Sequence, residues 1–297
     1  MDKINAEVFL SVAETGNFRK TADLLGYTQA GISYIIGSME KETGLTLFIR
    51  EHNGVRLTRE GEALIPYMKQ LEVWDRQFDQ IVGELNGLEK GNLRVQIFDS
   101  ISVHWIPGII QRFNHDYPGI NIELITEEDS ARAEEMVLSG EVDCGFFLTN
   151  VSADIDYYPL MEENLLAVVA PDHPLAKLEK FPIKELGKHP YIAMKYDAHT
   201  GIGRIFSKRG IVPQIAYSLD NDYAAMAMVN KGLGYTIFPQ LLLTYKPCEL
   251  RCMEFDEPVK RTISVGTASM STCSKACAKF IEYTREWVEE YKNNIRL

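Results

Sequence analysis

The amino-acid sequence predicts an α/β protein in which a short helical segment, a long helix and two α/β lobes follow one another. Three observations support this prediction. Hydrophobic periodicity changes near residue 58 and again near residue 91. Between these points apolar residues recur in alternating steps of three and four. After Gly91, β-rich runs alternate with amphipathic stretches, which is typical of a mainly parallel sheet covered by helices.

Composition restricts the class of protein before any motif is considered. The 297 residues suggest more than one domain, and 31 Lys and Arg against 42 Asp and Glu give a net charge of −11. Contact with nucleic acid must therefore be local. No apolar run is long enough to span a bilayer, the first residues carry acids where an export signal needs cations, and five cysteines do not form a secreted disulfide framework. We expect a cytoplasmic protein.

Residues 1–57 predict short helices that end in a small β-hairpin. Ala22 allows two helices to approach closely, Gly26 supplies the turn between them, and Ile32 and Ile35 hold the second helix against the core. Strand-like residues 47–50 and 55–57 flank a turn at 52–54, which predicts a wing beside the second helix.

The surface of this second helix and the wing indicate a nucleic-acid interface. Glutamine and serine can read base edges from a helix in the major groove, and flanking cations can hold phosphates. A helical bundle with a merely solvated charged surface is the alternative that the spacing leaves open. The candidate DNA-contacting residues are Arg19, Lys20, Thr28, Gln29, Ala30, Ser33, Tyr34, Ser38, Arg50 and Arg56.

The charge balance of this segment predicts that DNA binding requires pairing. Residues 1–60 carry seven Lys and Arg against eight Asp and Glu. Because phosphate neutralisation supplies most non-specific affinity, a single segment of this composition should bind weakly. We therefore expect two copies to engage paired half-sites.

The sequence of residues 58–90 predicts a long helix that packs against a second helix. Thr58 is a plausible N-cap, and Pro66 should bend the first turns. A regular heptad seam favours a second helix, although a helix packed on its own core remains the alternative. The predicted dimer seam is Leu64, Tyr67, Leu71, Trp74, Phe78, Ile81 and Leu85.

The remaining sequence predicts two sets of strands and helices. The first set has strands over 93–98, 120–125 and 142–148, with helices between them. The second has strands over 165–170, 191–194, 214–217 and 234–238 and a helix over 221–231. A strand over 262–267 and a helix over 274–291 close the chain.

Short motifs along the whole chain carry a family resemblance. Those in the first sixty residues are Ala13–Phe18, Ala22–Leu25, Thr28–Ser33, Gly44–Phe48 and Val55–Gly61. Those further on are Gly91–Val95, Phe113–Ile120, Ser139–Asp143, His173–Leu175 and Gly232–Pro239. Together they resemble the LysR-type transcriptional regulators.

This resemblance implies a domain organisation and a function. Residues 1–57 would form a winged helix-turn-helix DNA-binding domain, 58–90 a linker helix for dimerisation, and 91–297 a two-lobed, periplasmic-binding-protein-like (type 2) effector-binding domain. Lobe 1 would comprise 91–162 and 268–297, and lobe 2 would comprise 163–267. The implied protein is a ligand-responsive regulator, a homodimer assembling to a homotetramer, whose small-molecule effector alters the binding and bending of operator DNA.

Candidate effector-binding residues lie where predicted strands end. Ligands of two-lobed α/β proteins bind in the cleft, at the carboxyl ends of strands. Hydroxyl groups there suit a carboxylate, although Asp99 would repel an anion, so an effector with an amine or hydroxyl groups also remains open. The candidates are Ser100, Ser102, Phe147, Thr149, Tyr196, Thr200, Gly201 and Phe238.

No catalytic or metal-binding pattern is evident in the sequence. Cys273 and Cys277 lack the two-residue gap of structural zinc sites, and the histidines show no ligand spacing. Neither a nucleophile elbow nor a phosphate-binding loop occurs. We expect no enzyme activity, cofactor or metal. The alternatives are a solute-binding or enzymatic protein with an unrelated helical head, and a regulator that senses redox state through its cysteines.

Overall fold

The computed structural model describes residues 3–52, 54–85, 91–148, 151–197 and 201–294. Within α4, defined below, the side chains of residues 79, 80, 84 and 85 are outside this description. The chain forms two units, Met1–Asn86 and Gly87–Leu297, here called the head unit and the effector unit.

The head unit consists of four helices and a two-stranded wing. Its elements are α1 (Lys3–Thr15), α2 (Phe18–Leu25), α3 (Gln29–Thr43), β1 (Phe48–Glu51), β2 (Gly54–Leu57) and α4 (Arg59–Leu85). Ala22 and Ile32 are buried in its core as predicted, whereas Ile35 is only partly buried. Gly26 ends α2 with φ +74°, a conformation that favours glycine, so the turn between α2 and α3 forms where the sequence places it.

The start of α4 is fixed by Thr58. Its Oγ1 accepts a hydrogen bond from the amide of Gly61 at 2.9 Å and donates one to the carbonyl of Thr46 at 2.7 Å. The first bond caps the helix, and the second ties it to the segment that leads into β1. The helix then continues unbroken past Pro66 to Leu85.

The predicted dimer seam divides between two faces of α4. Leu64 and Leu71 pack, together with the buried Met68, against the core of their own head unit. The other members are exposed: Tyr67 69%, Trp74 60%, Phe78 66% and Ile81 49%. The side chain of Leu85 lies outside the described residues. The heptad spacing in the sequence could not distinguish the face of α4 that packs on the head core from the face that is exposed, because the head core covers only the first part of the helix.

A mixed sheet forms the centre of the effector unit. Its strands are β3 (Gly91–Ile97), β4 (Ile120–Thr126), β5 (Cys144–Leu148), β6 (Asp156–Val169), β9 (Thr236–Pro239), β10 (Arg251–Met253) and β11 (Lys260–Thr267). The order within the described chain is β10-β6-β11-β5-β3-β4, with β9 also paired to β6. Strand β3 pairs in parallel with β4 and β5, but β11 is antiparallel to β5 and β6. The prediction of a parallel sheet is therefore confirmed for β3, β4 and β5, whereas β6, β9, β10 and β11 extend this sheet through antiparallel pairs.

Helices and a smaller sheet complete the effector unit. The helices are α5 (Asp99–His104), α6 (Ile106–Asp116), α7 (Ser130–Leu138), α8 (Gly201–Ser207), α9 (Asp222–Asn230) and α10 (Lys275–Asn294). Strands β7 (Pro190–Met194) and β8 (Gln214–Leu219) form a separate parallel pair. The buried Trp105 separates α5 from α6.

The chain crosses between two hydrophobic cores along β6 and again before β11 pairs with β5. Met161 packs in the core beneath α6 and α10, while Leu165 packs in the second core. Ile263 is already opposite Leu148 of β5. The second crossing therefore precedes residue 263, and the expected boundary near 267 lies too late. None of the described helices combines the length and apolar character needed to cross a membrane.

Candidate functional site

Helices α2 and α3 are positioned by local caps. The Asn17 side chain accepts hydrogen bonds from the amides of Arg19 and Lys20 at 2.9 and 3.1 Å. Thr28 Oγ1 accepts from the amide of Gly31 at 3.0 Å. These bonds satisfy the first amides of each helix, so both helix starts are fixed by side chains within three residues.

The outer face of α3 is open to solvent, and α3 carries half of the predicted DNA-contacting residues. Tyr34 is 77% exposed, and Ser33 is partly buried. The predicted residues that are exposed are Arg19, Lys20, Thr28, Gln29, Ala30, Tyr34, Ser38, Arg50 and Arg56. A helix that presents an amide, a hydroxyl and an aromatic ring on one free face has side chains able to contact base edges.

Arg50 connects α3 to the wing. Its Nη2 donates to Ser33 Oγ at 3.0 Å, and its guanidinium carbon lies 5.7 Å from the centre of the Phe18 ring. The cation is therefore held at the junction of α2, α3 and β1. Arg56 instead pairs with Glu51 at 2.5 Å, in an exposed ion pair of the kind that contributes little to stability. Both guanidinium groups remain accessible to a phosphate.

Backbone contacts that the sequence did not reveal fix the position of the wing. The amide of Val55 donates to the carbonyl of Gly16 at 2.8 Å. Gly54 has φ +153°, and a Cβ there would lie 2.4 Å from that same carbonyl oxygen, so only glycine fits. Glu40, near the end of α3, accepts from the amide of Leu47 at 2.7 Å. The wing is thus fastened to both ends of the helix-turn-helix.

A cleft in the effector unit is the candidate ligand site. It contains about 400 Å³ of space between the atoms, including space open to solvent. We call it the interlobe cleft, since α5, from the first half of the effector unit, and α8 and α9, from the second half, contribute to its wall. Its lining residues are Asp99, Ser100, Glu128, Leu165, Tyr196, Gly201, Ile202, Asp222, Pro239, Leu242 and Arg261.

The structure brings three of the predicted effector-binding residues together in this cleft: Ser100, Tyr196 and Gly201. Ser102 is not among the described lining residues, and its hydroxyl donates to the carbonyl of Asp99 at 2.7 Å in the first turn of α5.

Two predicted aromatic residues lie in hydrophobic cores instead of the cleft. Phe147 is 2% exposed and packs with Met136 and Val142, and Phe238 is fully buried against Met226. Both strands are covered on their two faces, so apolar packing accounts for each ring and both predictions are corrected. Thr149 and Thr200 lie outside the described residues.

Arg261, which the sequence analysis missed, is the centre of a buried network. Its guanidinium forms an ion pair with Glu163 at 2.7 Å and donates to Ser100 Oγ at 2.8 Å. The other carboxylate oxygen of Glu163 accepts from the amide of Leu241 at 2.7 Å. The side chains of Arg261 and Glu163 are 10% and 2% exposed. The network therefore joins β6, β11 and α5 at the base of the cleft.

Burial raises the pKa of three carboxyl groups on the cleft wall above their ordinary values. Desolvation by burial raises the pKa of Asp99. Burial, assisted by the charges of Asp99 and Asp222, raises the pKa of Glu128 to about 7. Burial also raises the pKa of Asp222 to about 6, although its Oδ1 accepts a hydrogen bond from Tyr196. The cleft thus combines low polarity with crowded negative charge.

Cysteines do not form a metal site in the described part of the chain. Cys277 Sγ donates to the carbonyl of Asp143 at 3.4 Å, and Cys273 Sγ donates to that of Met270 at 3.6 Å. No group of three or more His, Cys, Asp or Glu within the described ranges could hold a metal ion.

Comparison with known proteins places this geometry in context. Residues 5–62 match the family described as bacterial regulatory helix-turn-helix protein, lysR family, and residues 86–289 match the LysR substrate binding domain. The Bacillus subtilis protein named "Uncharacterized HTH-type transcriptional regulator YvbU" is 26% identical over 94% of this chain and 96% of its own. The "HTH-type transcriptional activator CmpR" of Synechocystis is 27% identical over 78% of this chain and 76% of its own. The crystal structure of full-length CbnR complexed with its target DNA covers 97% of this chain and 100% of that chain, with 22% identity and a TM-score of 0.71.

Proposed function

The chain belongs to the LysR family of DNA-binding transcriptional regulators, and we propose that it binds operator DNA through α3 and the wing and responds to a small molecule in the interlobe cleft. The observation that carries the DNA-binding part is the arrangement of α3 and Arg50. An uncovered helix face with Gln29 and Tyr34 lies next to a cation that is held between helix and wing. The similarity to the structure of CbnR, which is a complex with target DNA, supports this assignment.

Different residues make the contacts to the bases and the contacts to the phosphates. Gln29, in the first turn of α3, has the bidentate amide that suits adenine in the major groove. Arg50 and Arg56 on the wing, together with Arg19 and Lys20 in α2, hold phosphates and so set the register. Because residues 1–60 have no positive net charge, two heads acting together supply the affinity.

Dimerisation through α4 supplies the second head. Tyr67, Trp74, Phe78 and Ile81 are large apolar side chains that remain exposed along this helix. Steps of seven, four and three place them along one side of it, and a contiguous apolar stripe of this kind marks an interaction surface. A second α4 would cover the stripe and pair the heads, and assembly of such dimers gives the homotetramer.

The cleft supplies the regulatory input. An effector that binds one arrangement of the assembly more tightly than another shifts the population toward it, and so changes how the paired heads engage and bend DNA. This role needs binding groups only, and we propose no catalysis. The charges of the cleft wall bear on the chemical class of this effector.

An electrophoretic mobility shift assay tests the DNA-binding proposal directly. The full chain should shift the DNA upstream of its own gene at lower concentration than a scrambled duplex of equal length. Arg50→Ala should weaken binding to both duplexes and reduce the dependence of affinity on salt, because a phosphate contact is lost. Lys177→Ala, which removes an exposed cation in the effector unit, is the matched control. Equal affinity for the two duplexes would contradict the proposal.

A further inference from the structure

We propose that the effector of the interlobe cleft is an organic cation, a small amine with a short apolar body, rather than a carboxylate. The inference rests on the proposed function of the cleft as the effector site. It goes further because it assigns the chemical class of the ligand, and it departs from the carboxylate that the hydroxyl-bearing loops suggested.

The cleft wall carries three acids from three separate elements. Asp99 begins α5, Glu128 follows β4, and Asp222 begins α9. Their groups act on one another, since the charge of Asp99 raises the pKa of both Glu128 and Asp222. An anionic ligand would enter a site that already repels its own charge, whereas a cation would relieve this repulsion.

The cation on the wall is already neutralised. Arg261 is the one Lys or Arg among the lining residues that the structure describes. Its guanidinium forms a close ion pair with the buried Glu163 and also donates to Ser100. Glu163 already balances the charge of Arg261, so a ligand carboxylate there would share a cation that has a close counter-charge, and it would do so beside three acids. The guanidinium therefore serves the network rather than a ligand anion.

Hydrogen-bond capacity also favours a donor ligand. Glu128 Oε1 accepts from the amide of Asp99 at 2.6 Å, and Asp222 Oδ1 accepts from the hydroxyl of Tyr196. An ionised carboxylate has about four acceptor positions, so each group retains capacity to accept more bonds. An ammonium group brings three donors and a positive charge, which is the complement of such a wall.

The remaining wall selects an organic cation over a metal ion. Leu165, Ile202, Pro239 and Leu242 contribute apolar surface that a hydrated metal ion would not use. In addition, the described residues contain no cluster of three or more potential ligands with the geometry to hold a metal. An alkyl chain would cover the apolar part of the cleft while its ammonium group reaches the carboxylates.

Titration calorimetry of the full-length protein with matched probes tests the charge of the ligand. The probes are C4–C6 alkylamines and α,ω-diamines, with monocarboxylic acids, dicarboxylic acids and alcohols of the same lengths. We expect the amines to bind and the acids and alcohols not to bind. Affinity for an amine should rise about tenfold from pH 6 to pH 8, because Glu128, whose pKa is about 7, ionises in this range while the amine stays protonated. Asp99, Asp222, Tyr196 and Arg261 are the other titratable or charged groups that face it.

Two variants locate the binding site. Glu128→Gln and Asp222→Asn keep an acceptor oxygen for the amide of Asp99 and the hydroxyl of Tyr196 but remove the charge. Each should weaken amine binding at pH 8 by about tenfold or more, as expected for a lost charge-assisted hydrogen bond. Glu179→Gln, at an exposed acid outside the cleft, should leave affinity unchanged.

The possible outcomes separate this inference from the proposed function. If acids or alcohols bind and a cleft variant weakens them, the cleft is an effector site but the cation assignment is wrong. If no amine binds at millimolar concentration, or if amines bind equally to the wild type and both variants, the cation assignment is also wrong. Ile202→Trp obstructs the cleft. If, in addition, the amines, acids and alcohols have the same effect on the DNA binding of this variant as on that of the wild type, the effector role of the cleft fails as well.

Discussion

Glu128→Gln should stabilise the unliganded protein, and more so as pH rises. Burial raises the pKa of Glu128 from 4.5 to about 7, so the folded state binds more protons than the unfolded state between these values. Stability is therefore lost as pH rises through this window. At about 1.4 kcal/mol per pKa unit, the carboxylate costs about 1 kcal/mol at pH 5.5 and about 3 kcal/mol at pH 8. Glutamine avoids this cost because it does not ionise.

Differential scanning calorimetry of the full chain measures this effect. A stability difference that grows by about 2 kcal/mol corresponds to a melting-temperature difference that grows by about 4 to 8 °C for a unit of this size. The relevant transition is the one that Ala22→Gly, a substitution in the head unit, leaves unchanged. Glu179→Gln is the control. The difference between its melting temperature and that of the wild type should be the same at about pH 5.5 as at about pH 8. A Glu128→Gln variant that melts at or below the wild-type temperature at pH 8 would refute the reasoning.

Three further substitutions test the other parts of the structure. Gln29→Ala should reduce the preference for operator over scrambled DNA by about tenfold in competition assays, because it removes a base contact, whereas Lys177→Ala should not; an unchanged preference would exclude base reading by Gln29. Trp74→Glu should convert the dimer to a monomer in analytical ultracentrifugation with helix content retained, whereas Lys69→Glu elsewhere on α4 should not; a persistent dimer would place the interface elsewhere. Glu163→Met should lower the free energy of unfolding of the effector unit by about 3 kcal/mol in denaturant unfolding, because Arg261 loses its counter-charge. The double variant Glu163→Met with Arg261→Met should recover most of this loss. Equal destabilisation by the single and the double variant would disprove the pairing.

Local signals in the head unit predicted where its helices begin and where the turn between α2 and α3 lies. The cap at Thr28, the positive φ at Gly26 and the small side chain of Ala22 each act within a few residues. Such signals are readable because the interactions they specify are close in sequence. The start of α4 after Thr58 was predictable for the same reason.

The effector unit was less predictable because its decisive contacts join distant residues. Glu163 and Arg261 are 98 residues apart, and the antiparallel pairing of β6 with β11 that brings them together has no local signature. The strand β5 is buried along its whole length, so alternation could not show that Phe146 and Phe147 serve different cores. Asp99 follows β3 and Glu128 follows β4. An acid after each of these two strands was the signal in the sequence from which the cleft could have been predicted.

DNase footprinting and a circular-permutation bending assay, made on the same operator, test the central claim that occupation of the cleft changes how the heads engage DNA. With an amine at saturating concentration, the wild type should change the length of its footprint or the bend angle, and Ile202→Trp should not respond. A footprint and a bend angle that remain the same in the wild type, at a concentration where calorimetry shows the cleft filled, would contradict the account.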